Sequence, residues 1–465
     1  MHSKAGKDIA NSAPTLEKRV GECGLAGLSK IIVGTLSMAW TREDAAHLLR
    51  RVGFGGSTQQ VETLYAKGRA AAVESLLNYE CVTDPAWEIA NPLGLKDPVS
   101  DPWDASLTLL YRFLASTRPL EARLTWFWHT HFAPAMQVAG NPLMALQFNT
   151  WRQHAAGHFK DFLPAMYQNG VISRRLHHSR TVPLAYERPA ARTTARVFAL
   201  DSSRETMPVA ARAPASVPVA PALGGTAHVR RALAQKQPEL TLSRDEPLHT
   251  LYDRPDTMRT VCAKLYQAFV RDRVTPADLD MLMNVWGRSG GSIKSVMSAM
   301  LRANYFWDAQ LRGTVMKGAM EYAAGLVQRL DLGLNRALVE NIALSLPKMG
   351  HVPFQFGDPA RVRTAMQLSS TGVLLARYEF ARYAIYGVGP GRVASSMTAG
   401  FPRRAPPNVF ITLLAQRLGL ALLTTATRSV VNEYLGNDPI SSDAKPDKVL
   451  GALYLFACSP EYQAS

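Results

Sequence analysis

The stretch Arg123-Leu-Thr-Trp-Phe-Trp-His-Thr-His-Phe132 holds two tryptophans, two phenylalanines and two histidines within ten residues. Such a density of large rings marks a packing centre, a functional site or both. Pro119 suits the first turn of a helix, and apolar residues recur after it at the spacing of one helical face. The pattern therefore predicts a helix through this stretch.

The two histidines are candidate catalytic residues and candidate metal ligands. On a helix, His131 falls near the middle of the apolar face and His129 about 200° away, so the two rings would not bind one metal ion. An extended backbone would instead project both rings to one side, where they could chelate. The favoured interpretation is a core histidine at 131, hydrogen-bonded through one nitrogen.

Arg152 and His154 are two further candidates, in a helix predicted at about 142–157. Together with His129 and His131 they would line the pocket of a hydrolase, and an enzyme of this kind requires the four to converge on one cavity. The competing interpretation is that arginine and histidine here are surface or buried hydrogen-bonding groups.

Composition indicates a folded chain with a substantial core. The 465 residues are 47% hydrophobic, which excludes global disorder. The formal net charge of +15 suits association with nucleic acid or an anionic surface. The four cysteines show no zinc-site spacing and are interpreted as free thiols. We expect no cofactor.

The N-terminus does not fix the compartment. Residues 24–39 loosely resemble a signal peptide, but Lys30 interrupts the apolar run. No uncharged apolar run approaches the ~20 residues that span a bilayer, so no transmembrane segment is expected. A cytoplasmic location is the default and export the alternative.

Helix signals fill both flanks of the chain. Thr41-Arg-Glu-Asp44 and Ser57-Thr-Gln-Gln60 are capping boxes, and Gly53-Phe-Gly-Gly56 is expected to stop the first helix, since glycine tolerates the left-handed geometry past a helix end. Later helical stretches are predicted at about 316–330, 336–346, 366–386 and 410–435. No alternating run implies a sheet. The predicted fold is all-α, a multi-helix orthogonal bundle.

The central segment, residues 171–256, interrupts this pattern. Periodicity fades and arginine and proline multiply, which predicts a long irregular, partly disordered insertion. The predicted organisation is an N-terminal arm (1–40), the N-terminal half of a helical domain (41–170), this segment, and the C-terminal half of the same domain (257–465). The basic character of the central segment makes binding of nucleic acid or an anionic surface through residues 171–256 an alternative function.

Several motifs in the flanks resemble one bacterial family. Asp44-Ala-Ala-His-Leu-Leu-Arg-Arg-Val-Gly-Phe-Gly55 resembles its opening, and Trp126-Phe-Trp-His-Thr-His-Phe132 resembles its Phe-Trp-His-x-His-Phe signature. Arg152-Gln-His-Ala-Ala-Gly-His-Phe-Lys-Asp-Phe-Leu163 and Met349-Gly-His-Val-Pro-Phe354 are similar to later parts. The chain thus resembles domain-of-unknown-function family 1800 (DUF1800) over roughly 40–170 and 257–463. The resemblance implies a largely helical fold with no assigned activity.

The central segment departs from that family. Its members usually carry an Asn-Glu-Asn-x-Ala-Arg-Glu-Leu-x-Glu-Leu helix, whereas Ala190-Ala-Arg-Thr-Thr-Ala-Arg-Val-Phe-Ala199 stands here without the carboxylates. The loss removes the family's best acid/base or metal-ligand candidates. We hypothesise a diverged replacement or translation out of frame between two compensating shifts. If neither alternative reading frame encodes the acidic helix, the frame shift is excluded.

No motif assigns a reaction, because the chain lacks a Gly-x-Ser-x-Gly elbow, a P-loop, a dinucleotide fingerprint and a His-Glu-x-x-His pair. We predict a helical protein with no assignable biochemical activity that acts as a partner or assembly factor for another protein. The alternatives are a hydrolase-like enzyme, degraded or intact, with a His/Arg pocket around 129–154, and the basic binder.

Overall fold

The structure is a computed structural model that describes residues 40–98, 101–132, 141–168, 252–351, 369–420, 422–441 and 446–464. These residues form nineteen α-helices, which confirms the predicted all-α class. The helices are α1 (Arg42–Val52), α2 (Thr58–Lys67), α3 (Arg69–Leu77), α4 (Pro85–Glu88), α5 (Pro102–Ala115), α6 (Pro119–Phe132), α7 (Asn141–Gln153), α8 (Phe159–Gln168), α9 (Pro255–Phe269), α10 (Pro276–Arg288), α11 (Ile293–Arg302), α12 (Ala319–Arg329), α13 (Arg336–Lys348), α14 (Thr371–Arg382), α15 (Pro390–Thr398), α16 (Pro407–Leu418), α17 (Thr425–Leu435), α18 (Pro446–Cys458) and α19 (Pro460–Gln463).

Shorter elements join these helices. A π-helical turn, Tyr383–Gly387, continues α14 directly. An antiparallel pairing of two-residue strands, β1 (Arg404–Ala405) with β2 (Ile440–Ser441), is the one ladder between strands in the described ranges. The 3₁₀ turns are Tyr79–Cys81, Asn304–Trp307 and Ala309–Leu311.

The capping boxes predicted for the first two helices are confirmed. The Thr41 hydroxyl accepts from the Asp44 N–H at 3.1 Å, while the Asp44 carboxylate accepts from the Thr41 N–H at 2.8 Å. Ser57 and Gln60 make the same exchange at 3.3 and 2.8 Å. An N-cap of this kind stabilises a helix by typically about 1 kcal/mol, which explains why both helices begin where the sequence predicts.

The predicted glycine run ends α1, and within it Gly55 has a positive φ of +137°. The φ of Gly53 is −132°, a value that other residues also adopt, so a different reason requires glycine at this position. A Cβ placed on Gly53 would lie 2.9 Å from the Cβ of Pro119. Glycine is needed because the start of α6 packs directly against the end of α1.

The stretch 410–435 is two helices, not the single helical run of the prediction. Gly419 follows α16 with φ +86°, the left-handed conformation that ends a helix and that glycine adopts most readily. Thr424 then caps α17 by accepting from the Thr427 N–H at 3.2 Å. The apolar periodicity continues across this break, so it did not reveal where α16 ends.

Both flanks of the chain contribute to one continuous apolar core. Trp128 comes from the N-terminal flank, Trp286 and Phe456 come from the C-terminal flank, and all three are fully buried. The flanks also meet through polar groups: Arg51 Nε donates to the carbonyl of Phe269 at 3.0 Å. The helices of the two flanks therefore stabilise each other, while the domain boundaries at 40, 170 and 256 stay predictions.

The predicted arm and most of the predicted irregular segment, in residues 1–39 and 169–251, lie outside the described residues. Helix α9 begins at Pro255, inside the range that the sequence assigned to the irregular segment. Within the described ranges, no helix combines the length and the apolar character needed to cross a membrane.

Candidate functional site

Helix α6 lies at the centre of the described structure. All of its residues except Pro119 and Thr130 are buried, and it packs against α1, α3 and α7. A helix that is buried on all sides needs apolar side chains around its whole circumference, which is what the ring-rich sequence supplies. Trp128, fully buried, also donates its indole N–H to the carbonyl of Ala155 at 2.9 Å and so joins α6 to the chain after α7.

His129 is fully buried on the side of α6 that faces α7. Its ring centroid lies 5.1 Å from that of Phe148, 5.6 Å from that of Trp151 and 5.5 Å from that of Trp126. Burial, with a smaller contribution from the charge of His351, lowers the pKa of His129 to about 3. The imidazole is therefore neutral at physiological pH.

His131 is buried on another side of α6. Its ring contacts those of Phe127 and Phe132, with centroids 5.7 and 4.7 Å away. Burial, and then the charge of Lys264 on α9, hold the pKa of His131 well below its ordinary value. Neither ring nitrogen has a hydrogen-bond partner in the part of the chain that the structure describes, in contrast to the one bond expected.

The two imidazoles thus contact different sets of rings, as the predicted helix requires. Both histidines lie on α6, and a helix separates residues at this spacing by about 200°. The described residues also contain no group of three or more histidine, cysteine or acidic side chains placed to hold a metal ion. The pair is not arranged as a chelate.

Arg152 and His154, near the end of α7, lie in two further surroundings. The Arg152 guanidinium is 5.0 Å from the ring of Trp87 and 3.6 Å from the carboxylate of Glu121. The half-buried His154 stacks on Phe162 of α8 with 5.8 Å between centroids, and burial lowers its pKa. None of the described contacts brings the four candidate residues around one cavity.

A family model described as a protein of unknown function (DUF1800) matches residues 47–179 and 229–464. The chain belongs to the DUF1800 family. The unmatched residues, 180–228, fall inside the segment 171–256 in which the sequence loses the family's pattern. No curated protein and no solved structure gives a significant match.

In this DUF1800 protein, sequence reasoning missed two residues beside the candidates. His351 stacks on Trp126 with centroids 4.9 Å apart, and its charge contributes to the lowered pKa of His129. Glu121 is buried between Arg118 and Arg152, at 3.3 and 3.6 Å, and burial raises its pKa against the opposing effect of both arginines. The family motif at Met349-Gly-His-Val-Pro-Phe354 could have pointed to His351, whereas no sequence pattern pointed to Glu121.

Proposed function

We propose that this DUF1800 protein acts by binding another protein, as a partner or assembly factor, and not by catalysis. The divergent surroundings of His129, His131, Arg152 and His154 support this choice, because a hydrolase needs a nucleophile, a base and a cavity that meet. That any of these four residues takes part in catalysis stays a prediction. A role in packing accounts for the ring contacts that each histidine makes.

The observation that carries the proposal is a tyrosine surface formed by Tyr386, Tyr434 and Tyr454. The first two rings are 40% and 45% exposed. The centroid of Tyr386 lies 6.3 Å from that of Tyr454, and the Tyr434 hydroxyl donates to the carbonyl of Asp447 at 3.1 Å. Three helical elements, the π-helical turn, α17 and α18, thus present neighbouring rings to solvent.

Two properties make this surface suited to a protein partner. Tyrosine is enriched in protein interfaces because a rigid ring offers a large contact area together with a polar end. Tyr386 belongs to a π-helical turn, a distortion that occurs frequently at functional sites. The hydrogen bond of Tyr434 to α18 holds its ring in place before any partner arrives, which lowers the entropy lost on binding.

The rings and the carboxylates beside Tyr434 suit a partner segment that presents arginine and proline. Glu433 is exposed next to Tyr434, and Asp447 is exposed where the Tyr434 hydroxyl attaches, while the cation Arg382 is exposed near Tyr454. Arginine pairs with carboxylates and stacks on tyrosine faces, and extended proline-rich segments bind aromatic surfaces.

Panning a phage-displayed random peptide library against the full chain tests the proposal. We expect enrichment of peptides rich in arginine and proline. Their affinity for the double variant that carries Tyr386→Ser and Tyr434→Ser should be at least about tenfold weaker than for the unmodified chain. Leu344→Ser is the matched control, because Leu344 is 58% exposed on α13. Binders that ignore the tyrosine substitutions, or no enrichment, would contradict the proposal.

The basic-binder alternative rests on residues 171–256, most of which lie outside the described residues. It predicts binding to nucleic acid or anionic vesicles that weakens steeply with salt. If the chain binds neither nucleic acid nor anionic vesicles at low salt, this alternative function is excluded.

A further inference from the structure

A small pocket lies where α1, the start and end of α12, the end of α16 and the C-terminal α19 meet. Its enclosed volume is only about 20 Å³, room for one small group, and the free space rises to about 350 Å³ when the open mouth is counted. Three cations line it, Arg50, Lys317 and Arg329, with one carboxylate, Glu321. Arg329 is 6% exposed and Lys317 is 7% exposed. Charged groups are seldom buried so deeply unless something pairs with them.

The Glu321 carboxylate is directed to other partners at both of its oxygens. One oxygen of Glu321 pairs with Arg123, and the other accepts the N–H of Gly318 at 2.7 Å as part of the cap of α12. Arg50 has its own partner in Glu43 and donates to the carbonyl of Gly419 at 3.0 Å.

Lys317 and Arg329 are left facing the pocket with donors to spare. Lys317 Nζ donates to the carbonyl of Tyr462 at 2.7 Å and lies 3.7 Å from the centroid of the Tyr462 ring, and an ammonium group has three N–H donors, so at least one donor remains. Arg329 Nη2 is buried without a hydrogen-bond partner in the described part of the chain. A buried guanidinium nitrogen without an acceptor is unfavourable, so a missing acceptor is the simplest account of it.

Like charges also repel within this pocket. Burial, together with the charges of Arg50, Arg329 and Arg377, holds the pKa of Lys317 well below its ordinary value. Burial and Arg50 likewise lower the pKa of Arg329 to about 10, which still leaves it charged near neutral pH. An anion between these groups would reverse both effects, because it favours their protonated forms.

Glycines let the elements that line the pocket pack closely. Gly419, in the left-handed conformation, lies so close to Arg329 that a Cβ there would be 2.9 Å from its Nε. Gly55 packs against Gly325, where a Cβ on Gly55 would be 3.1 Å from the Cα of Gly325. A side chain at either position would displace the Arg329 guanidinium or the backbone of α12.

We propose that Lys317, Arg329 and Arg50 bind a phosphate-like oxyanion in this pocket. A phosphate group carries about −1.5 to −2 charges at pH 7 and offers several acceptor oxygens, which suits two cations that form no ion pair with a carboxylate of the described residues. Arginine and lysine are the residues that bind such groups in proteins. The anion is either a free inorganic ion or the terminal phosphate of a small ligand whose remainder extends through the mouth.

Isothermal titration of the full chain with sodium phosphate, at constant ionic strength, tests the proposal. We expect saturable binding that weakens at least about tenfold in Arg329→Gln and in Lys317→Met, because each removes a charged donor. Arg42→Gln is the matched control, since Arg42 lies on α1 like Arg50 but is solvent-exposed and paired with Glu62. This variant should bind phosphate like the unmodified chain.

Glycerol phosphate and sodium acetate distinguish the sources of the anion. If glycerol phosphate binds with the same dependence on Arg329, the pocket accepts the terminal group of a larger ligand; if only the inorganic ion binds, the free ion is the ligand. A preference for acetate, or phosphate binding that is equal in Arg329→Gln, would overturn the proposal. ³¹P line broadening of phosphate by the unmodified chain gives a readout that needs no variant, and its absence would overturn the proposal too.

Discussion

Two regions bury titratable groups in opposite ways. The aromatic centre is the set of rings around α6, and the cationic pocket is the one lined by Arg50, Lys317 and Arg329 beside α12. His129 and His131 lose their charge on burial, and aromatic rings then pack around them. Arg329 keeps its charge in a site where one guanidinium nitrogen has no partner in the described residues. A neutral imidazole carries no charge for a ligand to balance, whereas a buried guanidinium cannot become neutral near pH 7. Uncompensated charge is therefore a better sign of a binding site here than a cluster of histidines and rings.

The largest effect that tests this comparison is the removal of a ring from the aromatic centre. Trp128→Ala should lower the free energy of unfolding by about 3–5 kcal/mol, because Trp128 is fully buried among Phe132, Phe159 and Phe162. Urea denaturation measures the change. Trp103→Ala, at a tryptophan that is 40% exposed, is the control and should change it by roughly 0.5 kcal/mol. Equal losses would mean that the aromatic centre is not a packing centre.

A second test compares two buried arginines in buffer free of phosphate. Arg51→Gln should cost about 2 kcal/mol, because Arg51 Nε donates to a carbonyl of α9. Arg329→Gln should leave stability unchanged or raise it by about 1 kcal/mol, because the Nη2 that it removes is buried without a hydrogen-bond partner in the described residues. Chemical denaturation of both variants measures the change in the free energy of unfolding that each substitution causes. A loss in Arg329→Gln as large as that in Arg51→Gln would show that Arg329 is held by partners of its own.

The smallest effect is a dependence of stability on pH that arises from the buried imidazoles. Unfolded histidine has a pKa near 6.5, and the pKa of folded His129 is about 3, so the unfolded chain binds more protons between these values. Stability should therefore fall as the pH drops below about 6.5. His129→Phe should reduce this slope by about 1 kcal/mol per pH unit in urea titrations between pH 6.5 and 5.

Phe148→Leu is the control for the pH experiment, because it perturbs a ring that contacts His129 but adds and removes no titrating group. It should lower stability at every pH and leave the slope unchanged. A slope in His129→Phe equal to that of the unmodified chain would mean that the imidazole already carries a proton in the fold.

Local signals in the sequence were enough for most of the helical fold. The capping residues Thr41 and Ser57 and the apolar spacing of 119–132 predicted helix starts and types, since both depend on neighbours in the chain. The break at Gly419 was missed because apolar residues continue past it.

Local sequence patterns could not predict the cationic pocket. Arg50, Lys317 and Arg329 come from distant parts of the chain, and each looks by itself like an ordinary surface charge. Only their burial next to one another makes them distinctive, and burial depends on how the two flanks pack. His351 was similarly ordinary until the fold placed it on Trp126.

Titration with inorganic phosphate of three proteins, the unmodified chain, Arg329→Gln and His129→Phe, tests most directly which of the two regions holds a ligand. We predict that the unmodified chain and His129→Phe bind phosphate with the same affinity and that Arg329→Gln loses at least about tenfold. Binding that is lost in His129→Phe and kept in Arg329→Gln would contradict the account and return the ligand site to the aromatic centre.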